Sequence, residues 1–182
     1  MGLPRAINSS RSPLVHAPAP TPYPPAAHTP AERDALVAML TTRRPRVETI
    51  TIGHARDAAS VAAAEDLTRT WQARGGHVLT VVHWPENAAS WLRHARRFAA
   101  GEPDAWVVAG APLGWAQMAR RLRRSTDWDP ARTFAFASVG TPETVTLAAP
   151  GTLDGLRGAT AAGGTWRITR HSILWEEPSA QA

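Results

Sequence analysis

The chain has 182 residues, of which 43% are hydrophobic, and this is enough apolar material for one domain with a buried core. It contains no cysteine, so disulfides, thiolate chemistry and cysteine-ligated zinc are excluded. All 20 basic residues are arginine, and the absence of lysine excludes Schiff-base, pyridoxal and Walker-type phosphate-loop chemistry. The net charge of +5 accompanies a general Arg, Ala and Pro bias, so we expect no nucleic-acid binding from it.

The first 30 residues are predicted to be a proline-rich, disordered leader. Prolines recur from Pro13 to Pro30 and remove backbone donors, which favours extended conformations over a packed element. Residues 1–10 lack the apolar core of a secretion signal, so the sequence as it stands predicts a cytoplasmic protein, or an extracytoplasmic one if it is a fragment of a receptor. No apolar run reaches about 18 residues, and no membrane span is expected.

A short helix and linker are predicted for residues 31–46. Thr29 and Pro30 are typical of a helix start, and apolar residues recur on one face until Pro45. The main domain is then expected to span residues 47–178, with a tail at 179–182.

From Val47 onward, strand patterns alternate with helix patterns. The predicted strands are Val47–Ile52, His77–Val82, Ala105–Ala109 and Thr133–Ser138, and the predicted helices are Asp57 or Ser60 to Trp71, Ala88–Ala100 and Leu113–Arg124. The continuous apolar run Ala105–Ala109 is typical of a central parallel strand, and Thr165–Trp175 suits an edge strand or a hairpin arm. Right-handed crossovers then predict an α/β fold with a doubly wound, mainly parallel sheet and helices on both faces.

Ligands of open α/β sheets bind beside the loops that follow the carboxyl ends of the strands. The first such loop brings an imidazole, a guanidinium and a carboxylate to a helix N-terminus, where an anion can be received. The competing interpretation is that Asp57 only caps the helix and that Arg56 is solvated. Across the strand-end loops, the predicted ligand-binding residues are His54, Arg56, Asp57, Gly110, Ala111 and Ser138.

No catalytic, metal or cofactor site is predicted. Ser138 lies in F-A-S-V-G, which lacks the first glycine of a nucleophile elbow, and no G-x-G-x-x-G follows the first strand. The histidines fall in different elements without a metal-binding pair. His83, Trp84 and Glu86 are interpreted as turn packing. The arginines of segments 93–97 and 120–124 are interpreted as solvated helix faces, with attraction of an acidic partner as the alternative.

The order of motifs from Val47 to Thr160 resembles the second lobe of type 1 periplasmic binding proteins, the branched-chain amino acid receptors of ABC transporters. The motifs are a long helix closed by Gly75-Gly76 before a strand, then G-E-P-D-A-W-V-V-A-G, L-G-W-A-Q-M-A-R-R-L and L-D-G-L-R-G-A-T. Residues 12–40 are similar to the segment that crosses between the two lobes in that family. The resemblance implies ligand contacts near Asp57, Ala111 and Ser138 or Val139.

The resemblance implies a substrate-binding module for an amino-acid-like or carboxylate ligand, and not an enzyme. Its further implied partners are a permease and a separate first lobe. Two alternatives stay open: a cytoplasmic regulatory domain of the effector type, and a flavodoxin-like enzyme that uses His54, Arg56 and Asp57.

Overall fold

The computed structural model describes residues 24–170 and 172–177, so most of the predicted leader and the predicted tail lie outside the described residues. The helices are α1 (Pro30–Thr41), α2 (Ala58–Ala73), α3 (Leu92–Ala99), α4 (Pro112–Ser125) and α5 (Pro142–Ala148). The strands are β1 (Thr49–Ala55), β2 (His77–Trp84), β3 (Ala105–Ala109), β4 (Thr133–Ala135), β5 (Arg157–Ala159), β6 (Thr165–Thr169) and β7 (Ser172–Glu176). Among the described residues, no helix is long and apolar enough to cross a membrane.

All seven strands form one sheet in the order β2-β1-β3-β4-β5-β6-β7. The first five strands in the chain pair in parallel, whereas β6 and β7 form an antiparallel hairpin at one edge. Strand β3 lies between β1 and β4, and all of its residues are buried. The predicted doubly wound, mainly parallel sheet is therefore confirmed, and its strand order reverses between β1 and β3.

Helices cover both faces of this sheet. Helices α1 and α2 bury Leu36, Leu40 and Leu67 against one face. Helices α3, α4 and α5 cover the other face, where Trp115 packs nearly perpendicular to Trp128 at 5.7 Å between ring centroids. Since α1 contributes fully buried leucines, it belongs to the same core as the sheet.

Several elements differ from the sequence-based prediction. Strands β1 and β2 continue to Ala55 and Trp84, so His54 and His83 lie in strands and not in the loops that follow them. The strand expected over Thr133–Ser138 ends at Ala135, and a short 3-10 turn follows over Ala137–Val139. There the Ala137 N–H donates to the Glu32 carboxylate at 2.5 Å and is not part of a strand ladder. The helix expected from Ala88 begins only at Leu92. Helix α5 and the three-residue strand β5 were not predicted.

Candidate functional site

Three residues at the carboxyl ends of β2, β1 and β3 lie side by side in one row, which we call the histidine row. His54 of β1 is in register with His83 of β2 on one side and with Ala109 of β3 on the other. Neighbours in register on parallel strands point to the same face. The His54 and His83 rings accordingly lie 6.0 Å apart between centroids. The two imidazoles therefore lie beside the carboxyl end of the central strand β3.

Arginine side chains near this row disfavour protonation of its histidines. Burial lowers the pKa of His83, and the charges of Arg56, His54 and Arg97 lower it further. The pKa of His94 on α3 is likewise lowered by burial first and then by Arg56. Arg56 is exposed and, within the described part of the chain, forms no ion pair. An anion placed beside these groups would relieve their mutual repulsion.

Asp57 is held by the start of helix α2. Its Oδ1 accepts a hydrogen bond from the Ser60 N–H at 2.8 Å, which is an N-cap interaction. Its Oδ2 is buried and has no hydrogen-bond partner among the described residues. One carboxylate oxygen therefore caps the helix, and the other remains an unused acceptor.

Gly110 and Ala111 are buried at the start of α4, where an acidic side chain lies over the helix N-terminus. Glu86 Oε2 accepts a hydrogen bond from the Gly114 N–H at 2.9 Å. Burial raises the pKa of Glu86, and the charge of Asp57 raises it further. Glycine at position 114 makes room for this contact, because a side chain there would begin 2.7 Å from that oxygen. Turn packing alone does not describe Glu86.

Ser138 lies apart from the histidine row, in a cavity of about 80 Å3 at the ends of β3 and β4. The cavity is lined mainly by alanines together with Ser60, Phe136 and residues 25–28, which we call the N-terminal strap. Ser60 Oγ is buried and lacks a hydrogen-bond partner among the described residues. The cavity therefore combines an apolar wall with an unused hydroxyl. Ala109 belongs both to the cavity and to the histidine row, because it lines the cavity and is in register with His54.

Buried polar contacts hold the strap and α1 against this cavity. The carboxylate of Glu32 accepts hydrogen bonds from the backbone N–H groups of Ala137 at 2.5 Å and Thr29 at 3.3 Å. Burial raises the pKa of Glu32, although both hydrogen bonds and the charge of His28 oppose the change. His28 bonds Asp66 at 3.0 Å and packs edge-on against Phe136 at 5.7 Å.

No three His, Asp or Glu side chains converge as metal ligands in residues 24–170 and 172–177. The predicted site residues thus fall into three neighbouring groups. His54 lies in the histidine row with Arg56 beside it, Asp57 lies with Gly110 and Ala111 at the two helix starts, and Ser138 lines the cavity.

No family model and no curated protein matches the chain. Solved structures do match. A substrate-binding periplasmic protein from Ralstonia solanacearum aligns with a TM-score of 0.64 and 18% identity, covering 77% of this chain and 39% of that one. A putative branched-chain amino acid ABC transporter protein from Rhodospirillum rubrum aligns at 0.60 and 18%, covering 71% and 36%. A leucine-binding protein from Thermotoga maritima aligns at 0.56 and 16%, covering 69% and 36%.

The chain therefore spans between 36% and 39% of the length of these three proteins. It has the fold of one part of a type 1 periplasmic binding protein, as the resemblance of its motifs implied.

Proposed function

We propose that the domain binds a small molecule that carries a carboxylate, as a module of the kind found in substrate-binding proteins of ABC transporters. The observation that carries this proposal is the positive charge of Arg56, which forms no ion pair among the described residues and lies near His83 at the strand ends where α/β sheets receive ligands. The fold likeness to binding proteins supports it.

The ligand carboxylate is proposed to lie against Arg56. A guanidinium binds a carboxylate through two parallel hydrogen bonds, which is the strongest neutralising contact available at this edge. The nearby histidines, whose pKa values are depressed by burial and by Arg56, would gain protons when an anion arrives. Binding is therefore expected to take up protons at mildly acidic pH, below the ordinary histidine pKa.

The rest of the ligand is proposed to point toward the cavity that holds Ser138. Ala109 connects the two places, and the cavity wall of alanines and Phe136 suits a short apolar group. The hydroxyls of Ser60 and Ser138 can serve one polar atom of that group. A short aliphatic carboxylate with a polar substituent fits this combination.

The N-terminus of α4 is not available to the ligand carboxylate in this proposal. Glu86 already accepts the Gly114 N–H there, and a second anion would meet both Glu86 and Asp57. The internal carboxylates thus direct an incoming anion to the Arg56 side of the edge.

We interpret the site as a binding site and not as a catalytic one. The Asp57 Oδ1 is occupied by the Ser60 N–H, and His54 Nδ1 lies 2.7 Å from the carbonyl oxygen of Ala55. Both contacts are local ones that hold the two side chains in place, which favours a structural role for each of them over proton transfer. A single lobe encloses only one side of a ligand, so we expect dissociation constants of about micromolar to millimolar, with a second lobe or a permease as partners.

The proposal is tested by titrating the protein with small aliphatic carboxylates and with the corresponding amides, followed by calorimetry. We expect carboxylates to bind, amides not to bind, and Arg56→Gln to abolish the response. The matched control is Arg96→Gln, which removes the same charge from α3 in a groove shared with Glu102 and Arg132, away from the strand ends. Retained binding in Arg56→Gln together with loss in Arg96→Gln would refute the proposed site.

A further inference from the structure

A second concave surface lies on the opposite side of α4 from the sheet. It is a groove with a volume of about 660 Å3 between the start of α3, the second half of α4 and the end of α5. Its charged lining consists of Arg120, Arg121, Arg123 and Arg124, and Gln117 and Trp91 complete one wall. We call it the arginine groove.

The polar groups of this wall are donors. The Trp91 indole N–H donates to Gln117 Oε1 at 3.0 Å. Because an indole can only donate, this bond fixes the Gln117 oxygen on the Trp91 side and leaves the amide NH2 for other partners. Guanidinium groups have no acceptor either. A ligand of the groove must therefore supply acceptors.

The charge of the groove is not neutralised by ion pairs in the part of the chain that the structure describes. None of its four arginines forms a salt bridge within residues 24–170 and 172–177. Arg123 and Arg124 lie in the last turn of α4, where cations interact favourably with the helix dipole. Arg120 and Arg121 precede that turn, so the dipole does not account for them.

We propose that the arginine groove binds a small, freely soluble molecule with at least two phosphate groups. Each phosphate offers three acceptor oxygens and close to two negative charges, and arginine forks match phosphate geometry. The volume of about 660 Å3 is large enough for such a molecule. The groove is independent of the proposed carboxylate site, since it shares no residue with the strand-end row.

Inorganic tripolyphosphate is the probe, titrated calorimetrically into the full chain at physiological salt. The decisive variant is Gln117→Glu. Its carboxylate can still accept the Trp91 N–H, but it replaces the free NH2 by an acceptor facing the phosphate. We expect binding at least about tenfold weaker, which corresponds to the loss of one charge-assisted contact. The melting temperature should be unchanged or higher, because the new carboxylate lies among arginines.

The second variant, Arg120→Gln with Arg124→Gln, changes two exposed residues and should also weaken binding by about tenfold or more. The matched control is Arg46→Gln with Arg74→Gln, an equal charge change in a different groove beside Trp71, which should leave the affinity within about twofold. Equal weakening by the control pair, undiminished binding by Gln117→Glu, or binding only to anionic vesicles and not to free tripolyphosphate would overturn the proposal.

Discussion

Glu86 accepts a hydrogen bond from the backbone N–H of Gly114 at 2.9 Å, in the first turn of α4. Its second oxygen, Oε1, is buried without a partner among the described residues, as is Oδ2 of Asp57. The strand-end edge consequently has two carboxylates at its helix starts and a group of cations beside them. Burial and the like charge of Asp57 make the ionisation of Glu86 unfavourable.

The first prediction is that Glu86→Gln stabilises the protein at neutral pH. A carboxyl group whose pKa is raised on folding contributes stability that is complete below its unfolded pKa and is lost as the pH rises through the folded value. Glutamine keeps the acceptor for Gly114 and removes this loss, since its NH2 replaces the unpartnered oxygen. We expect a gain of about 1 kcal/mol in the free energy of unfolding at pH 7.

Urea denaturation at pH 7 and at about pH 4 checks this prediction. The difference between Glu86→Gln and the unsubstituted protein should shrink at the lower pH, where the carboxyl group is protonated. A difference that grows toward low pH would contradict the assigned direction of the pKa change.

The second prediction is that the same substitution at Glu32 is destabilising. Both carboxylate oxygens of Glu32 accept backbone N–H groups, from Ala137 and from Thr29. Glutamine would turn one acceptor into a donor that faces another donor. We expect a loss of about 1–3 kcal/mol in the free energy of unfolding at pH 7. Urea denaturation of the two Gln variants side by side measures it, and equal effects at Glu32 and Glu86 would contradict the contacts described.

The third prediction concerns the pKa values of His83 and His94. Burial is the largest cause of the lowered pKa values of His83 and His94, and Arg56 is the next. Arg56→Gln should therefore raise both pKa values without restoring them fully. NMR titration of the imidazole signals measures the change. Arg96→Gln serves as the control and should leave both pKa values unchanged, because the charge of Arg96 does not act on either histidine.

The fourth prediction compares two glycines at the carboxyl ends of the strands. A Cβ at Gly53 would lie 2.5 Å from Trp84 and 2.6 Å from Phe98, two buried rings that cannot both retreat. Gly53→Ala should cost about 1–3 kcal/mol through overpacking. A Cβ at Gly110 meets Ala55 only at an ordinary 3.5 Å, so Gly110→Ala should be close to neutral, within about 0.5 kcal/mol. Thermal denaturation distinguishes the two variants.

The sheet could be predicted because its signals are local. The apolar run Ala105–Ala109 indicated a central strand, and the Thr29-Pro30 pair indicated the start of α1. Strand β5 could not be predicted, since it has three residues and includes Gly158, which makes room for Trp166 instead of showing an alternating pattern.

The contacts that arrange the candidate site could not be predicted from the sequence either. Glu86 reaches Gly114 across 28 positions, and Glu32 reaches Ala137 across 105. A contact between two distant residues produces no periodic residue pattern around either of them. For the same reason, the sequence indicated that Ser138 ends a strand but not that the strap lines a cavity beside it.

The strand order has a consequence for how the chain is made. Strand β1 pairs with β2 through Thr49 and His77, but its other edge pairs with β3 through Ile50 and Ala105. During synthesis, β1, α2 and β2 leave the ribosome before β3 is made. The edge of β1 that later pairs with β3 therefore has no partner strand during this time. Ile50 and Ile52, which are fully buried in the folded protein, lie along that open edge. A nascent chain stalled before residue 105 would therefore expose an unpaired, apolar strand edge to which another strand can pair.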